Sequence, residues 1–191
     1  MARPRKFDTE AAIDAAMNTF WTKGYTATST DDLAESTGML RGSLYNAFGG
    51  KRQLFELALR RYREGGAGGD RAMSDDQPPL ERIRQLLRTG VDRTATDHRG
   101  CLAVNTVTEL ALREPELAEL ARQAFVPLEA RLTAAVEDGR LRGEIRSDRP
   151  ARVLARQVMA AFHGLLLQAK AGFESESLHA TIDAVVDDLR S

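Results

Sequence analysis

The 191-residue sequence has little of what exported and membrane-spanning proteins contain. It has a single cysteine, Cys101, so no disulfide can form within the chain, and a lone thiol fits a reducing compartment. No stretch approaches the roughly 18 consecutive apolar residues of a membrane-spanning helix. The basic start MARPRKFD is not followed by the apolar run of a signal peptide. We therefore expect a cytoplasmic protein with no membrane partner.

Aromatic residues make up only 6% of the chain, and runs of β-branched residues are nearly absent, which disfavours β-sheets. Alanine, leucine and arginine, which favour helices, are frequent. Hydrophobic residues account for 42% of the sequence, enough for a sizeable core at this length. These features predict an all-α fold. The net charge of −1 neither establishes nor excludes a nucleic-acid partner.

Catalytic and metal-binding patterns are also lacking. The three histidines, at positions 98, 163 and 179, are far apart and show no zinc-ligand spacing. Ser43 has no nucleophile-elbow setting around it. The glycine-rich segment 65–79 follows no strand and precedes no Lys-Ser/Thr pair, so it does not match a nucleotide-binding loop. We predict no metal and no cofactor, and an enzyme is the alternative that the sequence favours least.

The stretch from Ser29 to Lys51 has the pattern of a helix-turn-helix. Ser29 and the acidic residues after it favour a helix start near Thr30, and Gly38 can supply the left-handed residue that ends the helix. A second helix is predicted from about Arg41 to Phe48. Leu44 and Phe48, four residues apart, can pack back onto the first helix and leave the other face polar. Such a second helix enters the DNA major groove by its N-terminal end.

Two short helices around a glycine turn also occur in bundles that never bind DNA. A helical interaction protein that uses the turn only for packing is therefore an alternative. Salt-sensitive DNA binding distinguishes the two hypotheses, since only the first requires contacts with phosphates.

The wider pattern of this region resembles the DNA-binding module of the TetR family of transcriptional regulators. The resemblance begins near Phe7, is specific to about Tyr62, and rests on Ser29-x3-Leu33-Ala34-x3-Gly38-x3-Gly42-x-Leu44-Tyr45-x2-Phe48-x2-Lys51-x2-Leu54. A second stretch, Arg99-Gly100-Cys101-Leu102-Ala103-Val104-Asn105-Thr106, resembles a segment found in a subset of the family. Where family members commonly carry Ser or Thr to cap the recognition helix, this chain has Leu40.

The resemblance implies a repressor that binds a palindromic operator in double-stranded DNA as a homodimer. A small molecule that enters the C-terminal domain would release it. The candidate DNA-binding residues lie in a basic N-terminal arm, which can equally be a solvated terminus, at the start of the first helix of the motif, and along the second. They are Arg3, Arg5, Lys6, Ser29, Thr30, Arg41, Gly42, Ser43, Leu44, Tyr45, Asn46 and Lys51. Lys51 starts a further helix predicted to reach about Arg63.

The periodicity predicts about nine helices in two domains, a three-helix helix-turn-helix domain within residues 6–66 and a larger ligand-binding and dimerisation domain at 80–191. One long helix should run from Glu114 to about Asp138 with a bend at Pro127. The polar segment 139–148 should be a turn. Helices at 149–172 and 175–190 are the predicted dimer seam, since two such pairs can close a four-helix bundle. They can alternatively cover only their own subunit's core.

Candidate ligand-binding residues come from three predicted helices that must converge and that mix apolar walls with a few polar groups. They are Cys101, Val104, Asn105, Glu109, Phe125, Leu128, Phe162, His163 and Leu166. The expected effector is an apolar or amphiphilic small molecule. Cys101 follows Arg99-Gly100 near a helix N-terminus, a setting that favours a reactive thiolate, so redox or electrophile sensing is an alternative. A small buried hydrophobe is the other interpretation of that cysteine.

Overall fold

The computed structural model describes residues 8–65 and 76–190. The first four helices are α1 (Thr9–Lys23), α2 (Thr30–Thr37), α3 (Arg41–Phe48) and α4 (Lys51–Glu64). Their apolar faces meet in one core that includes Phe20, Leu33, Leu44, Phe48 and Phe55, all less than 9% exposed. The helix-turn-helix thus consists of α2 and α3, packed on α1 and α4.

Local sequence explains where these helices begin and end. The Asp8 carboxylate accepts hydrogen bonds from the backbone N–H groups of Glu10 and Ala11 at the start of α1. Ser29 and Asp32 form a reciprocal capping box at the start of α2, and Gly38 ends that helix with a φ of 66°. Leu40 precedes α3 in an extended conformation and supplies no side-chain cap.

The other six helices are α5 (Pro79–Asp97), α6 (Leu102–Leu110), α7 (Pro115–Arg122), α8 (Phe125–Leu141), α9 (Ala151–Lys170) and α10 (Ser175–Asp187). Helix α5 packs against α8, α9 and α10, and α8 packs along α9. Gly90 permits a close approach of α5 and α9, because a Cβ atom there would lie 2.4 Å from the ring of Phe162. No helix among the described residues is both long and apolar enough to cross a membrane.

The predicted long helix from Glu114 to Asp138 is wrong, because the chain forms two helices there. Helix α7 ends at Arg122 and α8 begins at Phe125, with Pro127 in the first turn of α8. Proline has no N–H to donate to the carbonyl of Gln123, and its ring clashes with that carbonyl in a continuous helix. In a first turn neither problem arises. The described part of the chain therefore contains ten helices.

The predicted turn at 139–148 is also only partly correct. Gly139 to Leu141 still belong to α8, and Ile145 is 2% exposed. Gly139 lies so close to Ile145 that an added Cβ would come within 2.5 Å of its side chain. Ile145 also pairs with Arg190 in an isolated antiparallel bridge, so the loop is attached to the end of α10.

Candidate nucleic-acid interface and ligand cavities

Helix α3 presents a polar face to solvent. Leu44 is 2% and Phe48 is 7% exposed, and these two side chains attach the helix to the core. The structure therefore does not present the Leu44 side chain to DNA, because it packs inward. The other side chains predicted on this helix to bind DNA are exposed: Arg41, Gly42, Ser43, Tyr45 and Asn46. Tyr45 is the most prominent aromatic among them, with 67% of its surface exposed.

The start of α2 lies beside this face. Thr30 is exposed, whereas the Ser29 hydroxyl is engaged in the capping box with Asp32. The hydrogen bond from Lys23, together with those from Ser29, lowers the pKa of Asp32 to about 2. Asp32 is therefore ionised at neutral pH and fixes the N-terminus of α2.

Lys51 lies at the first position of α4, as predicted. Its Nζ is 4.5 Å from the centroid of the Tyr25 ring and 3.4 Å from the Thr26 carbonyl oxygen. Burial lowers the pKa of Lys51, and the nearby carboxylates of Glu109 and Asp32 oppose that shift. A cation at a helix N-terminus combines its charge with free backbone N–H groups, an arrangement that suits a phosphate.

The candidate DNA interface contains one ion pair that the sequence pattern does not predict. Arg41, at the start of α3, forms an ion pair with Asp31 on α2, and both side chains are more than 60% exposed. The candidates Arg3, Arg5 and Lys6 lie outside the described residues.

Two small cavities lie among the C-terminal helices. The first, of about 10 Å³, has room for about one water molecule. The second, of about 20 Å³, lies between α6 and α9. Cys101, His163 and Leu166 line both cavities. Of the nine predicted ligand-binding residues, eight line one or both: Cys101, Val104, Asn105, Phe125, Leu128, Phe162, His163 and Leu166.

The cavity walls combine aromatic and polar groups. The rings of Phe125 and His163 have centroids 4.9 Å apart. Burial lowers the pKa of His163, so its imidazole is neutral at physiological pH. Within the described part of the chain, Nε2 of His163 has no hydrogen-bond partner, so it can bond to a polar group that enters.

Sequence reasoning missed two polar residues of the first cavity, Tyr62 on α4 and Arg93 on α5. Tyr62 lies on the buried apolar face of α4 and is 2% exposed. Its hydroxyl donates a hydrogen bond to Sγ of Cys101 at 3.3 Å. Burial, with a further contribution from Cys101, raises the pKa of Tyr62 well above its ordinary value. Helix α4 thus connects the helix-turn-helix with the cavity directly.

Further contacts join α1–α4 to the C-terminal helices. The Arg52 guanidinium on α4 binds Glu114 and Glu116 at the start of α7, each at 2.5 Å. Arg99, between α5 and α6, lies 4.4 Å from the centroid of the Trp21 ring on α1. Glu109, the ninth ligand candidate, lines neither cavity, and its carboxylate instead accepts hydrogen bonds from the loop after α1.

Comparisons with known proteins agree with this architecture. The family described as "Bacterial regulatory proteins, tetR family" matches residues 12–58, and "Tetracyclin repressor-like, C-terminal domain" matches residues 79–185. The transcriptional regulator YezE of Bacillus subtilis (strain 168) is 30% identical over 190 residues, 96% of each protein. The transcriptional repressor ComR of Escherichia coli (strain K12) is 29% identical over 180 residues, 92% of this chain and 86% of that protein.

Solved structures give the same result. A cysteine mutant of the TetR family regulator CifR, complexed with 26-bp double-strand operator DNA, is 31% identical with a TM-score of 0.77, covering 98% of this chain and 100% of that one. A TetR family regulator from Agrobacterium tumefaciens has a TM-score of 0.83 at 22% identity, covering 95% of this chain and 97% of that one, which shows a shared fold. By similarity along nearly its whole length, this chain belongs to the TetR family of bacterial regulatory proteins.

Proposed function

We propose that this chain is a transcriptional repressor that binds a palindromic operator as a homodimer and releases it when a small molecule binds. The observation that carries this proposal is the exposed polar face of α3, held outward by buried Leu44 and Phe48. ComR is a transcriptional repressor, and CifR mutants form complexes with operator DNA. The proposal includes action on DNA in the cytoplasm by binding alone, without catalysis.

A mobility-shift assay with the promoter DNA that flanks the chain's own gene tests DNA binding. The control is an unrelated fragment of equal length, and both are titrated at several salt concentrations. We expect a preference for the promoter fragment on the order of a thousandfold or more, with affinity that falls as salt rises. Equal binding of the two fragments contradicts a specific operator, and the absence of salt-sensitive binding to either fragment favours a helical interaction protein.

Dimerisation through α9 and α10 would place two copies of α3 in successive major grooves. The half-sites should then lie about one helical turn apart or a little more. The exposed side of α9 carries Val153 and Leu167, which are 47% and 65% exposed, with Ala160 and Gly164 between them. Small residues between larger apolar ones allow two helices to approach closely. A footprint of one isolated half-site bound by a monomer is incompatible with this proposal.

The effector is proposed to bind around Cys101, His163 and Leu166, the three residues that line both cavities. Pockets for small molecules usually measure about 300–1,000 Å³, far more than these cavities offer. Binding therefore has to separate α6, α8 and α9 locally, and the side chains there must move. A ligand that prefers this opened arrangement by about 1–3 kcal/mol would lower operator affinity roughly 5- to 150-fold.

A second candidate function is thiol-based sensing through Cys101. The observation that favours it is the position of Sγ, which lies in the wall of both cavities and accepts a hydrogen bond from Tyr62 of α4. An adduct on this sulfur would displace the Tyr62 hydroxyl and so disturb α4. Treatment with N-ethylmaleimide should then release operator DNA from the wild type and leave Cys101→Ser bound. Equal responses of the two proteins exclude this mode of sensing.

A further inference from the structure

Glu109 extends from α6 to the loop between α1 and α2. Its Oε2 accepts a hydrogen bond from the backbone N–H of Tyr25 at 3.0 Å, and its Oε1 accepts one from Thr26 at 2.7 Å. Burial alone would raise the pKa of Glu109, but the bonds from Thr26 and Tyr25 outweigh it and hold that pKa below its ordinary value. The carboxylate is therefore ionised at neutral pH, and both of its oxygens bind this one loop.

The loop is shaped to receive this carboxylate. Gly24 has a φ of 81°, and a Cβ atom there would lie 2.9 Å from Oε2 of Glu109. Any other residue at position 24 would be strained and would also crowd the carboxylate. Tyr25 and Thr26 lie in a turn, where successive N–H groups can form a concave anion site. In this protein a side chain from the C-terminal helices occupies that site.

The same loop also contacts Lys51 of the candidate DNA interface. The Thr26 carbonyl oxygen lies 3.4 Å from Nζ of Lys51, and the Tyr25 ring lies beneath the same cation. Thr28 donates a hydrogen bond to the Gly24 carbonyl at 2.6 Å, and Ser29 then begins the capping box of α2. The short segment that precedes the helix-turn-helix is thus bound by both Glu109 and Lys51.

Helix α6 connects this contact to the cavities. Asn105 lines the second cavity and lies one helical turn before Glu109, so the two share a face of α6. We infer that Glu109 is a positioning residue for DNA binding. Its hydrogen bonds to the 24–26 loop determine where α2 and α3 lie relative to the C-terminal helices. The inference rests on the proposed function, because it assigns this residue a role in operator recognition.

Two substitutions of Glu109 test the inference. Glu109→Ala removes both acceptors, and Glu109→Gln keeps one and is the milder change. Glu119→Gln is the matched control, since it removes the same charge from an exposed residue whose ion pair is with Arg122 of its own helix. Two quantities are measured on the full chain: amide hydrogen exchange at Tyr25 and Thr26, and the ratio of affinities for promoter DNA and unrelated DNA.

In Glu109→Ala we expect exchange at both amides to accelerate at least about tenfold, because hydrogen bonds to a charged acceptor are strong. The affinity ratio should fall about five- to fiftyfold, within the usual range of coupling between sites. Glu109→Gln should be intermediate and Glu119→Gln unchanged. The ratio of the two affinities distinguishes a positioning role from partial unfolding, since loss of folded protein weakens binding to promoter and unrelated DNA equally.

If amide exchange at Tyr25 and Thr26 is unchanged in Glu109→Ala, the Glu109 carboxylate does not hold this loop and the inference is wrong. Faster exchange with an unchanged affinity ratio would overturn the positioning role. If Glu109→Ala does not fold, Glu109→Gln decides the matter by the same two measurements. A wild-type protein without any preference for promoter DNA contradicts the proposed function instead, and the exchange measurement still decides whether Glu109 holds the loop.

Discussion

Arg41 and Asp31 form the ion pair that lies on the candidate DNA face, one on each helix of the helix-turn-helix. In the absence of DNA the pair occupies the Arg41 guanidinium and places a negative charge where phosphates would approach. Asp31→Asn should therefore tighten binding to unrelated DNA about two- to fivefold, a size that suits an exposed pair. The specificity ratio should fall, because a freed arginine binds any phosphate. Filter binding to both kinds of DNA measures the two affinities.

Glu35→Gln is the control for this prediction. Glu35 is an exposed acid on the same helix, so the change in net charge is identical. Its effect on unrelated DNA should be smaller than that of Asp31→Asn. In an Arg41→Gln background the two substitutions should have similar effects, and a difference that persists there contradicts the role of the pair.

Tyr45 and Asn46 are adjacent exposed residues of α3 that offer different chemistry to DNA. Tyr45→Phe should weaken binding to promoter and unrelated DNA alike if the hydroxyl bonds a phosphate. Asn46→Ala should instead change the preference among operator variants by roughly 1–3 kcal/mol if its amide bonds a base edge. Competition binding with point variants of the operator separates these effects. Wild-type behaviour of both variants contradicts the assignment of this face.

At the scale of single residues, the sequence predicts which side chains of α3 are exposed but not which of them are paired. Leu44 and Phe48 lie four residues apart, and that spacing alone fixes the buried face of the helix. The contact between Asp31 and Arg41 depends on the angle between α2 and α3, which no local pattern encodes. Of the nine ligand candidates, only Glu109 lines neither cavity, and it contacts the loop after α1.

Helix α3 begins without a side-chain cap. Leu40 has the extended conformation of an N-cap residue, is 80% exposed, and makes no cap hydrogen bond. Leu40→Ser should supply an acceptor for the free N–H of Gly42 or Ser43 and raise the free energy of unfolding by about 1 kcal/mol. Denaturant unfolding followed by circular dichroism measures this change.

The control for the cap is Leu112→Ser. Leu112 is 99% exposed and lies after the end of α6, so the same substitution removes an exposed leucine without creating a cap. Its free energy of unfolding should stay close to that of the wild type. Equal stabilisation by the two substitutions would show that removal of exposed apolar surface, and not capping, is the cause.

At the scale of elements, capping residues and glycines were sufficient to place α2 and α3, because local signals determine those boundaries. Pro127 predicts an interruption of the helix, but the same proline is compatible with a bent helix and with two separate helices. The outcome depends on how α7 and α8 pack: Leu117 and Ala121 are buried on one side of the break, and Leu128 and Leu132 on the other. Such tertiary packing cannot be predicted from periodicity alone.

At the scale of the whole molecule, the contacts that join the two halves were not predictable from the sequence. Glu109 and Tyr25 are 84 residues apart, and Arg52 and Glu114 are 62 apart. Each of these residues is polar, and polar residues at helix surfaces predict only solvent exposure. Helix α4 is covered on its apolar face, and Tyr62 reaches the first cavity from it.

The large apolar residues of α9 and α10 are already buried within a single chain, so they cannot form the dimer interface themselves. Leu154, Val158, Phe162, Leu165 and Leu166 of α9 are at most 3% exposed within a single chain, as are Leu178, Ile182 and Val186 of α10. These large side chains therefore cover the core of their own subunit. A dimer through this surface has to use what remains outside, which includes the small residues Ala160 and Gly164 of α9 and Ala180 and Ala184 of α10.

Gly164 lies in the middle of that outer surface, and outside its own helix a Cβ built there would meet no atom of the described residues within 4 Å. Gly164→Gln should leave the subunit intact or slightly more stable, because glycine is unfavourable inside a helix by about 0.5–1 kcal/mol. It should nevertheless shift the assembly from two chains to one in sedimentation equilibrium, because the new side chain separates helices that must approach closely.

The control for this last prediction is Ala134→Gln, which places the same side chain at an exposed position of α8. It should leave the assembly unchanged. Operator affinity should fall for Gly164→Gln alone, because a single subunit contacts one half-site and loses the second set of phosphate and base contacts. A dimeric Gly164→Gln protein with wild-type operator affinity would exclude α9 from the seam and direct the search for the dimer interface to another surface.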